Sequence, residues 1–191
     1  MISRRIIRTK VLQILYAYYS SEEKSLNTTE KELFFCIHKT YDLYHYLMAL
    51  VIDIADYAES RIEIKRKKHQ PTHEDLHPNT KFVSNLFINQ LRTNRQLNAY
   101  LNQTKLSWVN HPDLIKELYL IMMESEMYET YIQSEIRSYM DDRKFIEKLF
   151  SKIFLVNAKK SLALFHIDLL LLIFFYSKIL VFMINDVFNI V

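Results

Sequence analysis

Apolar and polar positions alternate with helical spacing along most of this chain. In the first segment, apolar residues return every three or four positions and predict a helix from about Ser3 to Tyr19. The residues that we predict to face inward are Ile7, Val11, Ile14, Leu15 and Tyr18. The polar residues 20–28 that follow predict a loop.

The same spacing predicts a second, longer helix that begins at Thr29 and runs towards the basic segment 61–69. The letters TEKE at its start have the form of a capping box, with Thr29 as the N-cap and Glu32 three residues later. Lysine and arginine near its end suit the negative pole of the helix dipole. Its apolar positions are Leu33, Ile37, Tyr41, Tyr44, Met48, Val51, Ile52 and Ala55.

Further helices are predicted after the proline-containing loop 70–80. Either Asn79 or Thr80 is predicted to cap the third helix, Pro112 to open a fourth that breaks near Ser125, and the last helix to begin around Asp141. The third helix is predicted to turn inward Phe82, Leu86, Phe87, Leu91, Leu97 and Leu101. The later apolar positions are Leu114, Leu118, Ile121, Met122, Tyr128, Tyr131, Ile132, Ile136, Tyr139, Phe145, Leu149, Ile153 and Phe154.

Glycine is absent from all 191 residues, although average usage of about 7% would supply roughly a dozen. Glycine-rich phosphate loops, dinucleotide fingerprints and glycine-dependent nucleophile elbows are thereby excluded. Tight two-residue hairpin turns are disfavoured for the same reason. We therefore predict an all-α fold, a helical bundle, and we expect no enzymatic activity, no cofactor and no metal site.

The final segment, from Ser161 to the C-terminus, is apolar without an amphipathic period. The stretch 161–184 is long enough to cross a membrane only if Asp168 and Lys178 are accepted inside it. Each of these charges costs about 2.5–3.5 kcal/mol at the centre of a bilayer. One hypothesis is therefore a helical interaction protein that this apolar C-terminal segment holds at a membrane.

The first helix concentrates cations at its start, where Arg4, Arg5, Arg8 and Lys10 occur without an acidic residue. The positive end of the helix dipole disfavours this arrangement, which points to a binding role. Net charge is only +3, so attraction to nucleic acid must come from such a local cluster. The residues alone favour two interpretations equally: a surface for RNA phosphates with tyrosines for stacking, or a solvated helix end whose arginines pair with carboxylates.

The segment RRIIRTKVLQILY, residues 4–16, resembles the N-terminus of the transcription antitermination factor NusB family. That family begins with R-R-x-x-R, followed by an apolar pair, glutamine, a spacer and Leu-Tyr. The matching positions here are Arg4, Arg5, Arg8, Val11, Leu12, Gln13, Leu15 and Tyr16. The resemblance implies an all-helical cytoplasmic factor that binds boxA-like single-stranded RNA and acts in transcription antitermination and termination.

The resemblance covers roughly residues 1–157. Residues 69–91 look like the insertion found in a longer branch of the family, and we expect that insertion around 20–110. It implies that the RNA-binding residues are Arg4, Arg5, Arg8, Lys10, Gln13 and Tyr16. It also implies two further partners, the small-subunit ribosomal protein NusE and the RNA polymerase antitermination complex. The second helical half that is found in this family does not follow residue 157 in this sequence. We therefore expect a truncated or frameshifted chain whose tail, 158–191, lies outside the native core, and NusE binding only if that half is not required.

Other residue clusters favour structural interpretations. Cys36 is the single cysteine, which fits a reducing cytoplasm, and we predict that it packs on the apolar side of the second helix. Trp108 is predicted to anchor two helices, and the run 65–68 (KRKK) to be a solvated helix end rather than an extension of an RNA surface. Prolines within 70–80 disfavour a helical metal site at the evenly spaced His69, His73 and His77.

Overall fold

The computed structural model describes residues 4–22 and 25–154. Every regular element in these ranges is helical, which confirms the all-α prediction for them. The helices are α1 (Arg4–Ser20), α2 (Leu26–Arg66), α3 (His73–Leu76), α4 (Leu86–Thr93), α5 (Arg95–Thr104), α6 (Pro112–Met123), α7 (Glu126–Gln133) and α8 (Tyr139–Leu149), which continues into the π-helical turn Phe150–Phe154. The predicted apolar C-terminal helix and the tail 158–191 lie outside the described residues.

The described residues belong to two compact units, one reaching from the N-terminus to Tyr44 and the other beginning at His45. In the first unit, α1 forms as predicted and buries Ile14. The predicted inward face is wrong for Ile7 and Leu15, whose side chains are exposed. Leu15 follows Ile14 directly, and successive residues are about 100° apart around a helix, so the two side chains point in different directions.

The start of α2 lies three residues before the predicted one. The hydroxyl of Ser25 accepts hydrogen bonds from the backbone N–H of Thr28 at 3.4 Å and from its hydroxyl at 3.2 Å. Thr29 lies within the first turn, where its hydroxyl donates to the carbonyl oxygen of Ser25 at 2.8 Å. The predicted capping box of Thr29 and Glu32 is therefore wrong, because an earlier serine already caps the helix.

A capping box forms instead at α3, within the segment predicted as a loop. The Thr72 hydroxyl accepts from the Asp75 backbone N–H, and an Asp75 carboxylate oxygen accepts from the Thr72 backbone N–H, both at 3.2 Å. The two reciprocal bonds satisfy backbone donors that a single helical turn leaves unpaired.

The core of the second unit forms where the second half of α2, α4, α6 and α8 bury their apolar faces. The helical spacing predicted most of these positions. The buried side chains include Met48, Val51, Ile54, Ala55, Phe82, Phe87, Ile88, Leu91, Leu118, Met122, Phe145, Ile146, Leu149, Phe150 and Phe154.

The predicted third helix is in fact two helices that meet at Asn94. The Asn94 backbone N–H donates to the Leu91 carbonyl oxygen at 3.2 Å, and its side-chain oxygen accepts from the Leu97 N–H at 3.0 Å. Asn85, rather than Asn79 or Thr80, caps α4, because its side-chain oxygen accepts from the Ile88 N–H at 3.0 Å. Leu86, predicted to face inward, is exposed directly after this cap.

The fourth helix agrees with its prediction, since α6 begins at Pro112 and ends before Ser125. Ser125 caps α7 by accepting from the Tyr128 N–H at 3.2 Å. Ser138 caps α8 by accepting from the Asp141 N–H at 3.1 Å, so the helix begins at Tyr139, two residues before the predicted start. Residues 134–138 are not helical, so the predicted inward orientation of Ile136 is wrong and its side chain is exposed.

Candidate nucleic-acid interface

The three arginines at the start of α1 are solvent-exposed. Within residues 4–22 and 25–154, no ion pair involves Arg4, Arg5, Arg8 or Lys10. The interpretation in which carboxylates neutralise these arginines therefore finds no support among the described residues.

The exposed arginines share one side of the helix with apolar and aromatic side chains. At about 100° per residue, Arg4, Arg5 and Arg8 fall within an arc of about 100°. The same side continues through Leu12, Tyr16 and Tyr19, which are 69%, 77% and 72% exposed. We call these six residues the α1 stripe. Along the helix axis, the α1 stripe extends about 21 Å from residue 5 to residue 19, at 1.5 Å per residue.

The remaining predicted site residues lie beside or away from the α1 stripe. Gln13 is exposed at its edge, whereas Lys10 is only half-exposed and lies about 140° around the helix from Arg5. The structure therefore brings together Arg4, Arg5, Arg8 and Tyr16 but not Lys10. The stripe also contains Leu12 and Tyr19, which the motif did not select; the signal for them is the regular step of three or four residues after Arg8.

The chemistry of the α1 stripe suits a single-stranded nucleic acid. Guanidinium groups bind phosphate oxygens through two parallel hydrogen bonds, and they keep their charge at any physiological pH. Tyrosine rings provide flat faces on which unpaired bases stack. A cationic end followed by exposed rings on one helix side thus offers contacts both to the backbone and to the bases.

The lysine-rich end of α2 behaves as a solvated helix end, with its charges partly used within the fold. Lys68 pairs with Asp75 at 2.9 Å, and Lys67 pairs with Glu63 at 3.7 Å. The hydrogen bond from Lys68, followed by that from the Thr72 backbone, holds the pKa of Asp75 below its ordinary value. Two of the four cations in the run 65–68 are therefore already engaged by carboxylates.

The histidines at 69, 73 and 77 are exposed, and the rings of His73 and His77 lie 4.7 Å apart. Among the residues that the structure describes, no group of three or more histidine, cysteine or acidic side chains is arranged to hold a metal ion. In the same ranges, no helix has the length and apolar character needed to cross a bilayer. The predicted membrane segment 161–184 lies outside the described residues.

Comparisons of this chain with protein-family models, with curated proteins and with solved structures give no match. The likeness to the NusB family is therefore an interpretation of residues 4–16, and the geometry of α1 is the structural basis on which a function can be proposed.

Proposed function

We propose that this protein binds single-stranded RNA through the α1 stripe. The observation that carries this proposal is the exposure of Arg4, Arg5 and Arg8 on one helix side, without a carboxylate partner among the described residues. Unpaired guanidinium groups bind phosphates without first giving up an internal ion pair. Tyr16 and Tyr19 continue the same side as stacking surfaces for bases.

We further propose that this binding serves transcription antitermination of the NusB type. This step rests on the resemblance of residues 4–16 to that family. Its RNA target is then boxA-like, and its further partners are NusE and the RNA polymerase antitermination complex. RNA binding by α1 and the preference for boxA are separate claims. The experiment is therefore designed to test both.

The experiment measures fluorescence anisotropy of a short labelled boxA-like RNA and of a scrambled RNA of equal composition, over a series of salt concentrations. The test variant replaces Arg4, Arg5 and Arg8 by glutamine. Each phosphate contact to a single strand contributes about 0.7 to the slope of log affinity against log salt, so we expect the slope to fall by about 2.

A matched control replaces Lys31, Arg95 and Arg137 by glutamine, because these cations are also exposed and take part in no ion pair among the described residues. Equal losses in both variants would show that only net charge matters, and an unchanged affinity in the test variant would rule out α1 as the site. Equal affinity for boxA-like and scrambled RNA would leave RNA binding intact and remove the assignment to antitermination of the NusB type.

A further inference from the structure

A cleft of about 370 Å³ lies between α2 and α6 in the second unit. From α2 it is lined by Tyr57, Arg61 and Lys65, whose spacing of four places them on one side of that helix. From α6 it is lined by Lys116 and Tyr119. Two helices thus supply cationic and aromatic side chains to one concave surface.

The charge of this α2–α6 cleft has one sign. Its lining contains Arg61, Lys65 and Lys116 and no acidic residue, and none of the three cations takes part in an ion pair within the part of the chain that the structure describes. Acidic residues of the same stretch of α2 are engaged elsewhere: Asp56 and Glu59 by Arg92, and Glu63 by Lys67. Three uncompensated cations around one concavity attract an anion that carries more than one charge.

The rest of the cleft lining is aromatic and apolar. The rings of Tyr57 and Tyr119 meet edge to face, with 5.2 Å between centroids and 73° between planes. Burial raises the pKa of Tyr119, and the positive charge of Arg61 acts against this shift. The guanidinium group of Arg61 therefore lies near the Tyr119 ring, and one ligand could contact both. Leu120 and Met123 are 47% and 41% exposed and extend the apolar surface of the cleft.

An inorganic anion alone would leave this aromatic and apolar surface uncovered. A ligand that joins a phosphate to a flat aromatic ring would use both parts of the cleft. We propose that the α2–α6 cleft binds one nucleotide unit, with its phosphate on Arg61, Lys65 and Lys116 and its base against Tyr57, Tyr119 and the apolar side chains of α6. The inference does not depend on the proposed role of α1, because the residues that carry it belong to α2 and α6.

The nucleotide is either free or part of a single strand, and calorimetry separates the two sources. The titrations use adenosine monophosphate, adenosine, inorganic phosphate and an oligoadenylate, on a protein in which Arg4, Arg5 and Arg8 are already glutamine. This background keeps α1 from contributing to the signal. We expect adenosine monophosphate to bind more tightly than adenosine or phosphate, since only the nucleotide contacts both the cations and the rings.

Two substitutions report on the two halves of the site. Arg61→Gln with Lys116→Gln should weaken nucleotide binding at least about tenfold, because each lost charge-assisted hydrogen bond is among the stronger contacts available. The control pair Arg95→Gln and Arg137→Gln removes the same charge elsewhere and should leave the affinity unchanged. Tyr119→Leu should reduce the preference for nucleotide over phosphate, and Tyr119→Phe, which keeps the ring, should retain it.

Each outcome bears on the inference. An oligoadenylate that binds more tightly than the mononucleotide, with the same loss in the charge variant, identifies a strand as the ligand; equal affinities identify a free nucleotide. Equal losses in the cleft and control pairs, phosphate binding as tight as nucleotide binding, or no nucleotide binding by protein whose circular dichroism shows it to be folded would each overturn the proposal. The charge pair is exposed, so its result stands even if Tyr119→Leu fails to fold.

Discussion

The indole ring of Trp108 lies flat against the phenol ring of Tyr46, with 3.9 Å between the centroids and 11° between the planes. The indole N–H donates to the carbonyl oxygen of Tyr46 at 2.8 Å, and the Tyr46 hydroxyl donates to the carbonyl oxygen of Ser107 at 3.4 Å. These contacts attach the loop between α5 and α6 to α2. Trp108 is therefore a buried anchor, as predicted, but it joins a loop to α2 rather than two helices to each other.

The first prediction follows from this anchor. Trp108→Ala should lower the free energy of unfolding by about 3–5 kcal/mol, since it removes a large buried ring and leaves a cavity. Trp108→Phe should cost less, because a smaller aromatic ring still fills most of the site and the main losses are ring volume and one hydrogen bond. Urea denaturation followed by circular dichroism measures both. Val109→Ala is the control, since Val109 is 80% exposed and Trp108 is 4% exposed; equal shifts at the two positions would contradict the anchor.

A buried polar network connects α4, α7 and α8. The Tyr131 hydroxyl donates to one carboxylate oxygen of Asp142 at 2.6 Å, and the other oxygen accepts from the Leu86 N–H at 2.8 Å. The Asn85 side-chain amide donates to the Tyr131 hydroxyl at 3.1 Å. Burial and then the hydrogen-bonded Asp142 raise the pKa of Tyr131 far above its ordinary value, so this hydroxyl remains a donor.

The second prediction is that Asp142→Asn lowers the free energy of unfolding by about 1–3 kcal/mol, because an amide nitrogen replaces one of two accepting oxygens and leaves a buried donor unpaired. Tyr131→Phe should also destabilise the protein. The double variant should lose less than the sum of the two, since both changes break the same bond. Urea denaturation gives the three values, and Glu135→Gln, an exposed change of the same kind, is the control. Strict additivity would show that the two side chains do not interact.

Local signals account for the parts of the fold that the sequence predicted well. Pro112 and Ser125 act on neighbouring backbone groups, so their positions alone indicated the bounds of α6. Helical spacing placed Phe145 and Leu149 in the core for a similar reason. The sequence did not predict the division at Asn94, because the apolar spacing continues across this residue without a break. The hydrogen bond that its side-chain oxygen accepts from the Leu97 N–H starts a new helix there.

Sites assembled from distant segments could not be predicted in this way. The α1 stripe lies on one helix, so most of it was visible as a motif. Arg61 and Lys116 lie far apart in the sequence, and only the packing of α2 on α6 brings them to one cleft. Asp142 likewise finds its partners on two other helices, and nothing in the local sequence distinguishes it from the neighbouring Asp141.

The third prediction concerns pH. Burial, followed by the charge of Asp56, raises the pKa of Asp53 from 3.8 to about 6, against a hydrogen bond from the Trp108 backbone that lowers it. Because the folded protein then binds this proton more tightly than the unfolded chain does, the free energy of unfolding should fall as the pH rises through the window from about 4 to about 6.

Asp53→Asn should remove this dependence and raise the free energy of unfolding at neutral pH by about 1 kcal/mol, a value reduced by the partial exposure of the carboxylate. Urea denaturation at several pH values across the window measures the effect. Glu135→Gln provides the comparison for an exposed carboxylate. An Asp53→Asn protein with the same pH profile as the wild type would show that this group does not carry the dependence.

The last prediction separates stacking from charge on the α1 stripe. Base stacking on an aromatic side chain contributes about 1–3 kcal/mol per base, so Tyr16→Ala should weaken RNA binding by about 5- to 150-fold. The salt dependence should stay unchanged, because no phosphate contact is lost. Tyr16→Phe should bind as the wild type does, since the ring remains.

Phe34→Ala is the control, because Phe34 is an exposed ring on α2 outside the stripe. Anisotropy titrations over a salt series give affinity and slope together: a flatter slope in Tyr16→Ala, or a loss no greater than in Phe34→Ala, would show that Tyr16 does not stack on the RNA.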